Sequence, residues 1–261
     1  MTETLVYVNR ENEIARLILD RPEKRNAINL AMWQRIPLLV AKVESDSKIK
    51  VIIVQGRDDA VFAAGADLDE IGEVLASREA SGRYVDAVHR AEDAIGTCSK
   101  PTLAMIQGHC VGGGLELAMA CDLRFASTTS RFAIPPAKLG LVYSMASTCR
   151  LVSLVGVAKA KELLFSGRSF DAHEAAQIGL INQLFDPGEV VAQTNKYATT
   201  ICRRSQSSVR VAKAIVQAVV DGDAAGNSEV RERIIDIFTG EDAKEGVAAY
   251  MQKRPPNFTG Q

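Results

Sequence analysis

Gly108-His109-Cys110-Val111-Gly112-Gly113-Gly114-Leu115-Glu116, read together with Phe62-Ala63-Ala64-Gly65-Ala66-Asp67-Leu68, decides how this chain folds. Each stretch follows an apolar run, Thr102-Leu103-Ala104-Met105-Ile106 and Val51-Ile52-Ile53-Val54, of the kind that forms strands buried on both faces. Each strand therefore delivers its glycines to a sheet edge. Small residues there let a ligand approach the backbone, and the first amides of a helix that opens after them lack intrahelical acceptors. Two such donors can hold an oxygen on which negative charge develops. Taken singly, glycine clusters of this kind more often mark tight turns or close packing.

Outward from these segments, Leu5 to Val8 and Ile14 to Leu19 read as paired strands with Asn9 to Glu13 as their polar turn. A helix is predicted from about Asn29 to Glu44, another from about Ser81 to Gly96, and a third opening inside Gly112 to Gly114. Asp122 to Ala126 and Arg131 to Ala133 read as short strands. Strands alternating with helices imply crossovers and a largely parallel sheet. From about Gly188 onward the pattern is helical alone, with Val209, Ala212, Ile215 and Val216 at helical spacing. A helix with no sheet beneath it must bury its apolar face elsewhere, so this tail is the natural place for subunit contacts.

At 261 residues and 47% apolar content the chain reads as soluble and globular, and a net charge of −1 gives no electrostatic reason for a nucleic-acid or membrane partner. The basic cluster Arg203, Arg204, Arg210 and Lys213 reads as a solvated helix face. Five scattered cysteines without C-x-x-C spacing fit free thiols in a reducing compartment. Met1-Thr2-Glu3-Thr4-Leu5 has neither the basic region nor the apolar stretch of a signal peptide, and no run is apolar enough to span a bilayer. A cytoplasmic protein is expected. His89, His109 and His173 have no metal-ligand spacing, Ser144 lacks a G-x-S-x-G setting, and Gly112 to Gly114 do not form G-x-G-x-x-G. No metal or redox cofactor is implied.

With Arg21-Pro22-Glu23-Lys24-Arg25-Asn26-Ala27 preceding them, the two glycine segments stand in the order and approximate spacing of the crotonase (enoyl-CoA hydratase/isomerase) superfamily, which the chain resembles. The likeness continues through Phe132 to Leu151, Phe165-Ser166-Gly167-Arg168, Ala175 to Ile181 and Lys253 to Phe258, and so covers almost the whole chain. It implies an α/β fold, a spiral of ββα units over residues 1–187 carrying the coenzyme A site and oxyanion hole. A C-terminal helical oligomerisation region over 188–261 follows, with a homo-oligomer, a trimer or a dimer of trimers. By the same resemblance the backbone amides of Ala66 and Gly113 polarise a thioester carbonyl. Lys24, Arg25, Ala64, Asp67 and Leu68 form the coenzyme A subsite, and Phe258 reaches a neighbour's coenzyme or simply packs. Coenzyme A would enter as part of the acyl-CoA substrate rather than as a cofactor.

Glu116 matches one of two glutamates used by hydratases, although a helix dipole alone also favours a carboxylate there. Pro136 stands where the second belongs, in Phe132-Ala133-Ile134-Pro135-Pro136-Ala137-Lys138-Leu139-Gly140, and Tyr143 enters the candidate pocket. A single glutamate can serve hydration or isomerisation as both base and acid, whereas decarboxylation needs no base for C–C cleavage. The pattern Phe132-Ala133…Pro136-Ala137…Leu139-Gly140…Tyr143 is similar to that of methylmalonyl-CoA decarboxylases, but Ala66 stands where those carry histidine. The readings left open are therefore a hydratase/isomerase type, a malonyl-type decarboxylase, and a non-catalytic coenzyme A-binding paralogue. The pocket wall is expected from Ile71 to Val88 and from the C-terminal helices.

Overall fold

The computed structural model describes residues 5–222 and 228–259; Met1-Thr2-Glu3-Thr4, on which the leader reading rests, lies outside them. The described residues form ten strands and ten α-helices, the last four helices following one another without a strand. In chain order the strands are β1 (Val6–Glu11), β2 (Ile14–Leu19), β3 (Val51–Gly56), β4 (Val61–Ala63), β5 (Thr102–Ile106), β6 (His109–Val111), β7 (Leu123–Ser127), β8 (Arg131–Ala133), β9 (Ser169–Asp171) and β10 (Gln183–Phe185). The helices are α1 (Leu30–Glu44), α2 (Leu68–Val74), α3 (Arg78–Gly96), α4 (Gly113–Ala120), α5 (Met145–Ser166), α6 (Ala172–Gln177), α7 (Val190–Cys202), α8 (Gln206–Val220), α9 (Ser228–Thr239) and α10 (Glu241–Met251).

Three successive units place their first strands side by side in one sheet, β3-β5-β7, and their second strands side by side in another, β4-β6-β8. Each unit then returns through helix, α2 and α3 after the first, α4 after the second, α5 after the third. This is the ββα spiral of the crotonase fold. The larger sheet, β1-β2-β3-β5-β7-β10, is parallel from β2 to β10, with β1 added antiparallel at its edge. The turn before β2 is shorter than expected, because Asn9-Arg10-Glu11 stay paired with Arg16-Ala15-Ile14 and the left-handed Asn12 makes the reversal. An edge strand tolerates such polar residues because one side of it meets water.

The apolar runs in β3 and β5 are continuous because both faces of the sheet are covered. Ile52, Val54, Ala104 and Ile106 belong to the main core with Met32, Trp33 and Ile36 of α1, while Val51, Ile53, Leu103 and Met105 pack with Val190, Ala198 and Cys202 of α7. The first helix of the tail thus has the sheet beneath it, contrary to the expectation for the whole region. Buried Arg16 in β2 adds a polar tie, donating to Asn195 of α7 at 2.6 Å and to Gln55 at 3.0 Å. Nor is the basic cluster simply a solvated face. Lys213 donates to the Lys100 carbonyl at 3.1 Å and to Asp122 at 2.9 Å, locking α8 against the start of β7. The later helices do leave apolar side chains uncovered, among them Val216, Phe238 and Tyr250.

The helix α4 runs through the interior, all eight of its residues buried. It approaches the smaller sheet so closely that a Cβ on Gly114 would lie 2.6 Å from that of Ala63. Gly114→Ala is therefore expected to cost about 1–3 kcal/mol, the usual range for overpacking, despite alanine's better helix propensity. A lowered denaturant midpoint at unchanged slope is the readout.

Candidate active site

Glycine geometry sets the two halves of the site. After β4 the chain turns through Ala64 and Gly65, the latter at φ +107°. The Gly65 carbonyl accepts the Ile28 amide at 2.7 Å and the Asp67 amide donates to the Ile28 carbonyl at 3.2 Å. These bonds pin the chain on both sides of Ala66, whose own amide donates to no protein acceptor among the described residues. After β6, Gly112 takes φ +51°, and its amide donates to the Ala133 carbonyl of β8 at 3.0 Å. Gly113 then opens α4 with an amide that has no intrahelical acceptor. The two free amides are neighbours: a Cβ on Gly113 would lie 3.7 Å from the Ala66 nitrogen, and one on Gly65 would lie 3.7 Å from the Gly113 nitrogen.

A cavity of about 390 Å³ lies over these amides, walled by Trp33, Tyr84, Glu116, Pro136 and Tyr143. Glu116 sits in the first turn of α4, its amide donating to the Gly112 carbonyl at 3.0 Å. Burial, and next the negative charge of Glu92, push its carboxyl up to about 8, against the opposing pull of the Ser147 hydroxyl and the Arg150 charge. Trp33, fully buried on α1, donates from Nε1 to the Tyr84 hydroxyl at 3.3 Å, and its ring would meet any Cβ on Gly113 at 3.0 Å. The indole therefore acts as a floor that keeps the second amide a glycine's.

Tyr143 does not present its hydroxyl to the cavity. It donates instead to the Gly112 carbonyl at 2.8 Å, with burial and the nearby Glu116 carboxyl holding the phenol well above its usual range. That carbonyl belongs to the peptide whose nitrogen is Gly113, so Tyr143 reaches the site through the backbone. The segment from Phe132 to Gly140 brings only Pro135, Pro136 and Leu139 to the wall and no carboxylate.

Among the expected coenzyme residues, Lys24, Ala64, Asp67 and Leu68 line the cavity. Lys24 pairs with Asp69 at the mouth. Asp67 caps α2 and meets Arg21 at 2.6 Å; against its burial, the Arg21 guanidinium and the Asp69 amide hold its carboxyl below the usual range. Arg25 lies outside the lining; it takes a left-handed conformation, φ +51°, and its carbonyl accepts the Ala64 amide at 3.0 Å. Phe258 is also elsewhere in the protomer, beside Gly246 of α10, where a Cβ would approach it to 3.4 Å. Ile71, Tyr84 and Val88 form part of the wall as expected, but α7 to α10 of the same protomer contribute nothing to it.

The family model for enoyl-CoA hydratase/isomerase matches residues 9–261. The chain belongs to that family. It is 33% identical to a crotonyl-CoA hydratase of Syntrophomonas wolfei over 256 residues, 97% of each chain. A solved protein of the enoyl-CoA hydratase/isomerase family from Hyphomonas neptunium is similar at 38% identity and a TM-score of 0.95, covering 98% of both chains. An enoyl-CoA hydratase/carnithine racemase from Magnetospirillum magneticum matches at 32% identity, also with a TM-score of 0.95, over 100% of this chain and 97% of its own. Among the described residues, no helix of this family member is long and apolar enough to cross a membrane.

Glu92, Ser147 and Arg150 were missed as site residues by sequence reasoning. Glu92 is one acid among several charges on a helix of mixed polarity, and only the packing of α3 against α4 brings it to Glu116. Trp33 carried a signal, being the one tryptophan of the chain on an otherwise aliphatic helix face.

Two predictions follow from this geometry. Tyr143→Phe is expected to lower kcat about three- to tenfold with KM little changed, because one neutral hydrogen bond worth about 1 kcal/mol is lost from the peptide that carries the Gly113 amide; steady-state kinetics on any turned-over thioester reads this. Between the ordinary value of 4.5 and about 8 the folded protein holds a Glu116 proton that the unfolded chain releases. Its contribution to stability is full below that window and lost as pH rises through it. The melting temperature should therefore fall across this range, and fall less in Glu116→Gln.

Proposed function

We propose that this protein is an acyl-CoA-processing enzyme of the hydratase/isomerase type, in which the Ala66 and Gly113 amides form an oxyanion hole for the thioester carbonyl and Glu116 moves protons at the acyl carbons. The observation that carries this reading is the convergence of two unpartnered backbone amides and the buried Glu116 carboxyl on a single cavity. Enolisation of a thioester places negative charge on the carbonyl oxygen. Preorganised donors stabilise it most where water is excluded, and removing one such donor generally costs about 3 kcal/mol. The helix dipole of α4 reinforces the Gly113 amide.

Lys24 at the mouth, with the main chain around Ala64, Asp67 and Leu68, is the proposed coenzyme A subsite. Coenzyme A thus enters as part of the substrate, with no metal or redox group in the reaction. Residues 1–187 carry the site in this reading and 188–261 the oligomer contacts, in a trimer or a dimer of trimers. The uncovered apolar side chains of α8 to α10 support that assignment, and the cytoplasm is the proposed compartment.

Decarboxylation of a malonyl-type acyl-CoA is the second reading. It is favoured by the wall formed from Pro135, Pro136 and Leu139, a segment that brings no carboxylate to oppose that of a substrate. The purified protein, incubated in parallel with crotonyl-CoA, a 3-enoyl-CoA and methylmalonyl-CoA, distinguishes the two by mass and retention time. Gain of water or a shifted double bond supports the first reading, and loss of carbon dioxide the second. No change in any of the three, despite coenzyme A binding, supports a non-catalytic paralogue. For whichever reaction is seen, Glu116→Gln is expected to lower turnover by at least about a hundredfold, the usual scale for general acid–base catalysis. Turnover that rises with pH towards about 8 marks Glu116 as a base, and turnover that falls there marks it as an acid.

A further inference from the structure

Apart from Glu116, the polar side chains that line the cavity are nearly all spent on protein partners. Tyr143 donates to the Gly112 carbonyl, Asp67 accepts from Arg21 and from the Asp69 amide, and Lys24 pairs with Asp69 at the mouth. Tyr84 is different. Its oxygen accepts from Trp33 Nε1 at 3.3 Å, and because an indole N–H can only donate, the polarity of that bond is fixed. The phenol's own proton is left over, and it meets no acceptor among the described residues, Glu116 included. The hydroxyl belongs to the amide side of the cavity. Nε1 and Cζ2 of Trp33 are attached to the same ring carbon, and Cζ2 is the atom that would stand 3.0 Å from a Cβ on Gly113. The indole edge that holds Tyr84 is therefore the edge that faces the second amide. Tyr84 and Val88, one turn apart on α3, share the helix face that lines the cavity. Burial, against the opposing pull of the Trp33 N–H, pushes the phenol up to about 12, so it stays a donor throughout the neutral range.

A donor without an acceptor selects its ligand where the wall is otherwise largely apolar, as it is at Ile71, Val88, Leu139 and Leu141. An oxygen that takes the proton gains a hydrogen bond, whereas a methylene in the same place leaves the phenol unpaired. Charge is limited as well. Lys24, the one cation of the lining, is already paired at the mouth, so a carboxylate deep in the cavity would find no counter-charge, a cost that an uncharged oxygen escapes. We propose that Tyr84 is a specificity-determining residue that donates to an uncharged oxygen on the acyl chain. The ligand class is then an acyl-CoA bearing a ketone, hydroxyl or ether oxygen rather than a plain hydrocarbon chain. Placing the thioester in this cavity rests on the function proposed above.

The test is isothermal titration calorimetry of the intact protein with coenzyme A, hexanoyl-CoA, its 3-, 4- and 5-oxo derivatives, and adipyl-CoA. A ketone oxygen only accepts, so a gain from it identifies a donor on the protein. At least one oxo derivative is expected to bind about tenfold tighter than hexanoyl-CoA, with adipyl-CoA the weakest of the acyl ligands. Tyr84→Phe should abolish this advantage while hexanoyl-CoA binding stays within about twofold of wild type. A merely structural tyrosine would instead weaken every thioester alike when replaced, which overturns the proposal. So does an advantage kept in Tyr84→Phe, a wild type that binds no oxo derivative better than hexanoyl-CoA, or one that binds adipyl-CoA tightest. Should Tyr84→Phe fail to fold, Tyr84→Met, whose flexible side chain fills irregular space without a donor, decides by the same criterion. Thioesters that bind without any oxygen preference leave the functional reading intact, and failure of coenzyme A and every thioester to bind overturns both. The expected preference in a protein inert toward every acyl-CoA would reject the enzymatic reading while the Tyr84 contact stands.

Discussion

Everything at the site depends on one steric constraint, the approach of the α4 N-terminus to the end of β4 with no side chain between them. Gly114 lies against Ala63, and Gly113 against both Trp33 and the Ala66 peptide. Interiors are packed too tightly for a Cβ to be absorbed at such distances without backbone movement. Two peptide nitrogens from different ββα units are thereby held side by side, each left without a protein acceptor. An unpaired buried amide costs free energy, and in the proposed function a ligand oxygen is the partner that relieves it.

The surroundings hold that constraint in place within a largely apolar pocket. Ile28 bonds to both sides of Ala66 and the Ala133 carbonyl holds Gly112, so neither amide is free to swing toward a protein acceptor. The Gly112 carbonyl accepts from the Leu115 and Glu116 amides and from Tyr143, three donors that draw electron density away from the nitrogen of Gly113. The apolar wall of Trp33, Pro136 and Val88 keeps the dielectric low. Burial in that wall, with the nearby Glu92 charge, also raises the Glu116 carboxyl.

The carboxyl arrangement differs from one in which both acids face the cavity. Pro136 occupies the wall, and the buried Glu92, paired with Arg150 at 2.7 Å, is not part of the cavity lining.

Residue order alone determined a good deal of this protein. The helices α1, α3 and α4 and the strands β2, β3, β5 and β8 fall where apolar periodicity and glycines put them, because those signals are local: Asn29 caps its own helix, and a run such as Val51 to Val54 needs only to be apolar throughout. The family resemblance pointed to Ala66, Gly113 and Glu116, and the structure brings all three to one cavity, where adjacent glycines shape the backbone. Of the three-residue strands among the described residues β8 was legible, whereas β4, β6, β9 and β10 were not, since so short a span expresses almost no periodicity. Tertiary structure alone decided that α7 covers the sheet, that the Tyr143 hydroxyl turns to a carbonyl, that Arg25 and Phe258 stand away from the cavity, and that Glu92 is buried against Ser147 and Arg150. Each of these depends on contacts between segments distant in sequence. A buried acid and a solvated one have the same local signature until packing removes the water from one of them.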